Sequence, residues 1–325
     1  MDKIKVASLF CGCGGTDVGL LGGFEFNGKQ YSENNLEVVY ANDIDKNACT
    51  LFNENFGIMP DNHDIRNVQS SELPDFDILA GGFPCQSFSV VAQNPKRLGI
   101  KDDKGTLFFE ICRLLKDRQP KCFIAENVKG LLSANKGEAF PLILKEFEDS
   151  GYDVTYSVLS AVQYGIPQKR ERVIIVGFRK DLNIQFIFPQ SPIFNERDYV
   201  PLSVALEKAV DDKYYFSQRA VDGMMRNRDE MNKGRAQDIN KPCNTVGSHL
   251  AKVSLNSTDP VLFENERYRR FTPREVARIQ SFPETYKLSG SDSVQYRALG
   301  NAIPPVMMWY VARAVIETLY ENQEG

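Results

Sequence analysis

Histidine is nearly missing from this 325-residue chain, where His63 and His249 are the only two. They lie far apart, and Cys11 and Cys13 have no second close pair to complete a ligand set, so no zinc site is expected. The seven cysteines are odd in number and scattered, which argues against a disulfide framework and for a reducing cytosol. No apolar run approaches a membrane span, and Met1-Asp2-Lys3-Ile4-Lys5 lacks the apolar core of a signal peptide. Internal repeats and low-complexity tracts are absent too. These absences lead us to expect a cytoplasmic protein that engages neither membrane nor metal, and a monomer is expected as well.

What is present is ordinary in amount and uneven in placement. The net charge of −4 is small. Residues 161–300 nevertheless carry 22 Lys and Arg against 17 Asp and Glu, so the remainder is strongly acidic. A basic portion on an acidic body suits an anionic polymer as partner, although a solvated charged surface would give the same count.

The first half alternates strand and helix patterns. Strands are expected at Ile4–Phe10, Leu36–Ala41, Ile78–Ala80, Cys122–Ala125, Thr155–Leu159 and Val173–Phe178, with helices near 46–55, 107–115 and 140–147. Such alternation predicts an α/β layer fold. Pro189 and Pro192 then punctuate the chain, and about 190–265 is irregular. Thr272-Pro273-Arg274-Glu275 restarts a helix with a capping box and a first-turn proline. A last helix, roughly 305–319, would place Val306, Trp309, Tyr310, Ala314 and Leu319 near one face.

The chemistry-bearing residues follow the strands. Gly82-Phe83-Pro84-Cys85-Gln86-Ser87-Phe88-Ser89 places Cys85 just past a strand's carboxyl end, the edge where open α/β sheets bind ligands. A thiolate there is a strong nucleophile, whereas a lone cysteine is usually a buried structural one. Phe10-Cys11-Gly12-Cys13-Gly14-Gly15 follows the first strand, but Asp17 breaks the dinucleotide fingerprint. Asp43-Ile44 after the second strand offers a ribose acceptor and an adenine face, and Asp64-Ile65 a second such pair. The three features point to an adenosine-containing cofactor, for which S-adenosylmethionine fits at least as well as NAD. Glu126-Asn127-Val128 ends another strand and would face Cys85's crevice, and Gln168-Lys169-Arg170-Glu171-Arg172 supplies cations suited to a carbonyl or phosphate oxygen.

In this order, the motifs resemble those of the DNA cytosine-5 methyltransferases of the bacterial restriction–modification type. Gly105-Thr106-Leu107, Arg270–Ile279 and Gln295–Pro305 around Gly300-Asn301 complete the match, which covers nearly everything outside about 190–265. Departures are small: Asp43 stands where the family more often has Glu, and Lys104 replaces a frequent Arg.

The resemblance implies a Rossmann-like S-adenosylmethionine-dependent methyltransferase sheet with a smaller target-recognition domain. The divisions would be 1–189 for catalysis and cofactor, 190–290 for reading DNA, and 291–325 returning to the catalytic domain. It implies Cys85, Glu126, Arg172 and Arg170 as catalytic residues. Phe10, Gly12, Gly14, Gly15, Asp43, Ile44, Asp64, Ile65, Gly82, Pro84, Leu107 and Asn301 would bind S-adenosylmethionine. Gln86, Ser89, Lys96, Arg97, Arg228 and Thr245 would touch double-stranded DNA. A tRNA cytosine-5 methyltransferase and an inactive DNA-binding relative are the alternatives. The Cys-Phe-Thr signature of the first is missing, and intact Cys85, Glu126 and Arg172 argue against the second. Neither an Asp/Asn-Pro-Pro-Tyr/Phe motif for adenine-N6 methylation nor a Pro-Cys-x-x-Cys zinc deaminase motif occurs.

Overall fold

The computed structural model describes residues 2–83, 106–226, 236–251 and 259–321. In chain order its main elements begin with β1 (Ile4–Leu9), α1 (Gly15–Leu21), the hairpin β2 (Phe24–Phe26) and β3 (Lys29–Tyr31), β4 (Leu36–Asn42) and α2 (Lys46–Phe56). They continue with β5 (Ile78–Gly82), α3 (Thr106–Arg118), β6 (Cys122–Val128), α4 (Ala139–Asp149), β7 (Tyr152–Ser160), β8 (Gln168–Lys169) and β9 (Glu171–Arg179). All the expected strands and helices of the first half form, within a few residues of the expected bounds.

The six-stranded sheet has the order β4-β1-β5-β6-β9-β7. The first four strands are parallel, with Val6 opposite Val38 and Ile78, and Gly82 opposite Glu126. β9 runs antiparallel to β6 and β7. That reversal matters for chemistry, because it brings the start of β9 to the edge where β6 ends, with Arg172 opposite Val128. Both faces of the sheet are covered, as its apolar strands require. Ala7, Leu79, Phe123 and Ile175 pack with Phe108, Ile143 and Phe147 on one side. Val6, Ile78, Ile124 and Ile174 pack with Val306, Val311 and Val315 on the other.

Local signals explain the element ends. Asp45 caps α2 by accepting from the Asn47 and Ala48 amides, and Gly57 closes it at φ 68°. Gly14 at φ 83° makes the turn after β1, where a Cβ would fall 2.2 Å from the Phe56 ring. Only glycine fits there.

Beyond residue 190, the described chain holds short 3₁₀ turns, α5 (Gln218–Arg226), β10 (Cys243–Asn244) paired with β8, and the hairpin β11 (Leu262–Glu264)–β12 (Arg267–Arg269). Leu202, Ala205, Cys243 and Val246 join the same core as Val306 and Val311. α6 (Pro273–Ile279) carries the expected capping box between Thr272 and Glu275. Glu275 does more than cap: it is fully buried, pairs with the buried Arg269 at 2.7 Å and accepts from the Glu207 amide.

α7 (Asp292–Asn301) and α8 (Pro305–Glu321) close the chain, with α8 packed on α1. α8 buries Val306 and Leu319 of the expected face, but its buried stripe also runs through Met308, Val311, Ala312 and Val315, with Trp309, Tyr310 and Ala314 only partly buried. Trp309 and Tyr310 turn instead toward the β2–β3 hairpin. There Trp309 meets the Tyr31 ring edge-on at 5.2 Å, and its indole N–H donates to the Ser32 carbonyl.

Candidate active site

A cleft of about 970 Å³ opens at the carboxyl edge of the parallel strands. Phe10, Gly12 and Gly15 line it from the turn after β1, Asp43 and Ile44 from beyond β4, and Asp64 and Ile65 from the turn that follows α2. Gly82 ends β5 there, Leu107 opens α3, Glu126 comes from β6, Arg172 from β9 and Asn301 from the end of α7. Almost every described residue expected at the cofactor or the reacting base therefore meets in one space. Gly14 is the exception, lying behind the turn against Phe56. Asp17, which breaks the dinucleotide pattern, is fully buried in the first turn of α1, and burial lifts its carboxyl to about 7.

At one end of the cleft the Asp43 carboxylate fastens two loops. Its Oδ2 accepts from the Gly12 amide at 2.8 Å and its Oδ1 from the Asp45 amide at 2.8 Å. Burial raises its pKa, and those two amides oppose the rise. A carboxylate has about four acceptor sites, so it retains capacity toward a ligand hydroxyl. Beside it Ile44 is 69 % exposed, an apolar surface lining the cleft. Asp64 is more heavily engaged, because Arg66 forks onto it through Nε and Nη2, and that hydrogen bonding holds its carboxyl below the usual range.

At the other end Glu126 and Arg172 form an ion pair, Nε to Oε1, at 2.7 Å, with side-chain exposures of only 14 % and 12 %. Burial pushes the Glu126 carboxyl up, while Arg172 and then Arg170 pull it down. Gly82 leaves room for this pair, since a Cβ there would sit 2.8 Å from Glu126 Oε2.

Arg170 also lines the cleft, but its guanidinium donates to backbone carbonyls. Its Nη1 donates to the Val246 carbonyl, and its Nη2 to the carbonyls of Gly300 and Ala302, at 3.1, 3.2 and 2.9 Å. Burial and the neighbouring Arg172 pull its pKa down to about 9, so it stays charged at neutral pH. Its place is that of a clamp between segments. Arg170→Met is expected to cost about 3 kcal/mol, because it leaves buried carbonyls without donors. A lowered urea midpoint with an unchanged slope would show this.

Asn127, named in its motif but given no role there, ties β6 to the end of the described segment after β5. Its side-chain amide donates to the Phe83 carbonyl at 2.9 Å, one residue before Pro84. Thr245 is exposed away from the cleft, and its hydroxyl donates to the Lys169 carbonyl. Pro84, Cys85, Gln86, Ser89, Lys96, Arg97 and Arg228 lie outside the described residues.

An open, largely parallel sheet with this cleft at its carboxyl edge defines a Rossmann-like ligand-binding fold. Residues 4–317 match the C-5 cytosine-specific DNA methylases, and the chain belongs to that family. It is 36 % identical to the type II methyltransferase M.FnuDI of Fusobacterium nucleatum, over 99 % of this chain and 96 % of that one. It is 35 % identical to the type II methyltransferase M1.ScrFI of Lactococcus lactis, over 99 % and 80 %. The solved structure of the Dnmt2 methyltransferase of S. pombe shares the fold, with a TM-score of 0.73 at 21 % identity, covering 98 % of this chain and 99 % of that one.

Proposed function

We propose that the protein methylates C5 of a cytosine flipped out of a specific double-stranded DNA sequence, through a covalent bond from Cys85 to C6. The observation that carries this is the Glu126–Arg172 pair at the rim of the cleft, beside the strand that leads through the Asn127-held Phe83 toward Pro84-Cys85. C5 and C6 are hidden in a duplex, so the base must leave the stack. The Cys85 thiolate adds to C6, and the ring's electron pair moves to C5. Glu126 hydrogen-bonds N3 and the exocyclic amine, and Arg172 holds the O2 carbonyl. S-adenosylmethionine, bound at the Asp43 end, supplies the electrophilic methyl group. Loss of the C5 proton then restores the C5–C6 double bond and expels the Cys85 thiolate.

The cleft suits that cofactor. A buried acid with free acceptor capacity stands beside an exposed apolar side chain, as a ribose and an adenine face require, and nothing calls for a pyrophosphate site. Residues 190–290 would form the target-reading part, with Thr245 and the Gln86, Ser89, Lys96, Arg97 and Arg228 side chains at the DNA. The type II relatives support a place in restriction–modification; the reading adds a monomer in a bacterial cytosol.

Transfer of tritium from labelled S-adenosylmethionine to plasmid DNA, with bisulfite sequencing to locate the methyl group, tests the reaction. Label entering transfer RNA and not DNA would overturn it. Asp43→Ala is expected to weaken the cofactor about tenfold to a hundredfold by calorimetry, the value of a hydrogen bond to a charged group. Unchanged affinity would remove Asp43 from the site.

A further inference from the structure

Two fully buried glutamines, Gln168 and Gln280, form a chain of amides beneath the cleft. Gln168 Oε1 accepts from the Val246 amide at 2.9 Å, and its Nε2 donates to Gln280 Oε1 at 2.7 Å. Gln280 Nε2 in turn donates to the Leu299 carbonyl at 2.6 Å and the Ala302 carbonyl at 3.3 Å. The direction of this chain is forced at both ends. The Val246 carbonyl is turned to Arg170 and its N–H to Gln168, so Gln168 must present its oxygen there and its amine to Gln280. Leu299 and Ala302 offer only carbonyls, so Gln280 must present its amine to them. Neither amide can turn over without setting oxygen against oxygen in a dry interior, where an unpaired polar group is costly.

The two ends matter more than the middle. Val246 follows Thr245 on the segment paired with β8, whereas Leu299 and Ala302 bracket Asn301 at the lip of the cleft. Backbone meets backbone between these segments, since a Cβ on Gly300 would fall 2.3 Å from the Gly247 carbonyl group. We propose that Gln168 and Gln280 are positioning residues that set the Asn301 lip of the cofactor cleft from the Thr245-Val246 segment. This rests on the reading of the cleft as the S-adenosylmethionine site.

Gln280→Met removes the donor to the lip. Gln168→Glu keeps the size and the acceptor for Val246 but sets an acceptor against Gln280 Oε1. Val276→Ala, which opens a cavity in the same helix without touching the chain of amides, controls for general loosening. Calorimetry with S-adenosylhomocysteine on the full-length protein should show both glutamine variants binding about tenfold more weakly, the scale of one lost buried hydrogen bond. In methyl transfer the KM for S-adenosylmethionine should rise by the same factor, while kcat stays within about twofold. Val276→Ala should lose thermal stability and keep wild-type affinity. Should Gln280→Met fail to fold, Gln168→Glu decides. Wild-type affinity in the folded glutamine variants, or an equal loss in Val276→Ala, overturns the positioning role alone. No binding by the wild-type protein overturns the cofactor reading, and the positioning role with it.

Discussion

A Cys85→Ser protein is expected to form no covalent adduct with DNA carrying 5-fluorocytosine, whereas the wild-type protein forms one that survives denaturing electrophoresis and needs cofactor. Fluorine at C5 cannot leave as a cation, so the reaction halts with sulfur still bonded to C6. A serine hydroxyl in the same place is barely ionised at neutral pH, so methyl transfer should fall at least about a thousandfold. The structure makes this test unusually clean. The chain has seven cysteines, and Cys11, Cys13, Cys49, Cys112, Cys122 and Cys243 are all buried. Burial lifts the Cys49 thiol to about 11 and those of Cys13 and Cys112 to about 12. None of them competes as a nucleophile near neutral pH. An adduct that persists in Cys85→Ser would therefore mean that Cys85 is not the nucleophile, and that assignment would fall.

Much of this site was legible because it follows from strand ends. Each parallel strand delivers the residues just after it to one edge, so Phe10, Asp43, Gly82 and Glu126 could be gathered from the strand pattern alone. Arg172 could not be placed that way, because it lies at the start of its strand and not at the end. Only the antiparallel pairing of β9 with β6 brings it to Glu126, and strand direction leaves no mark in local periodicity.

The run Gln168–Arg172 held a signal that its charge concealed. Gln168 and Arg170 are buried and Arg172 nearly so, while Lys169 and Glu171 are exposed. That is the period-two alternation of a strand, with the polar residues on the inner side. Charge suggested a solvated face, and spacing pointed inward. The region after residue 190 was opaque for a different reason. Its shape comes from long-range pairs such as Glu207 with Glu275 and Cys243 with Gln168, which nearby sequence does not encode. The stripe on α8 was misjudged because Trp309 and Tyr310 find partners in a hairpin nearly the whole chain away.

Glu126→Gln should separate proton delivery from shape. Glutamine is the same size, can still accept from Arg172 Nε, and can still hydrogen-bond N3 and the exocyclic amine of cytosine. What it loses is a transferable proton. Cytosine N3 is an acceptor that becomes more basic as Cys85 adds to C6, so the useful form of Glu126 is the protonated one. Burial raises its carboxyl and thereby keeps that proton further toward neutrality, against the pull of Arg172. Removing a general acid typically costs about 10²–10⁴ in rate, and kcat should fall by that much with cofactor affinity unchanged. The pH dependence carries the sign. In the wild-type protein the protonated form is lost as pH rises through the raised Glu126 pKa, so kcat should decline on the alkaline side. Glu126→Gln has nothing to lose there, and its residual rate should not share that decline. If the variant keeps both the wild-type rate and the same alkaline limb, Glu126 holds the base without giving it a proton, and the N3 proton must come from solvent.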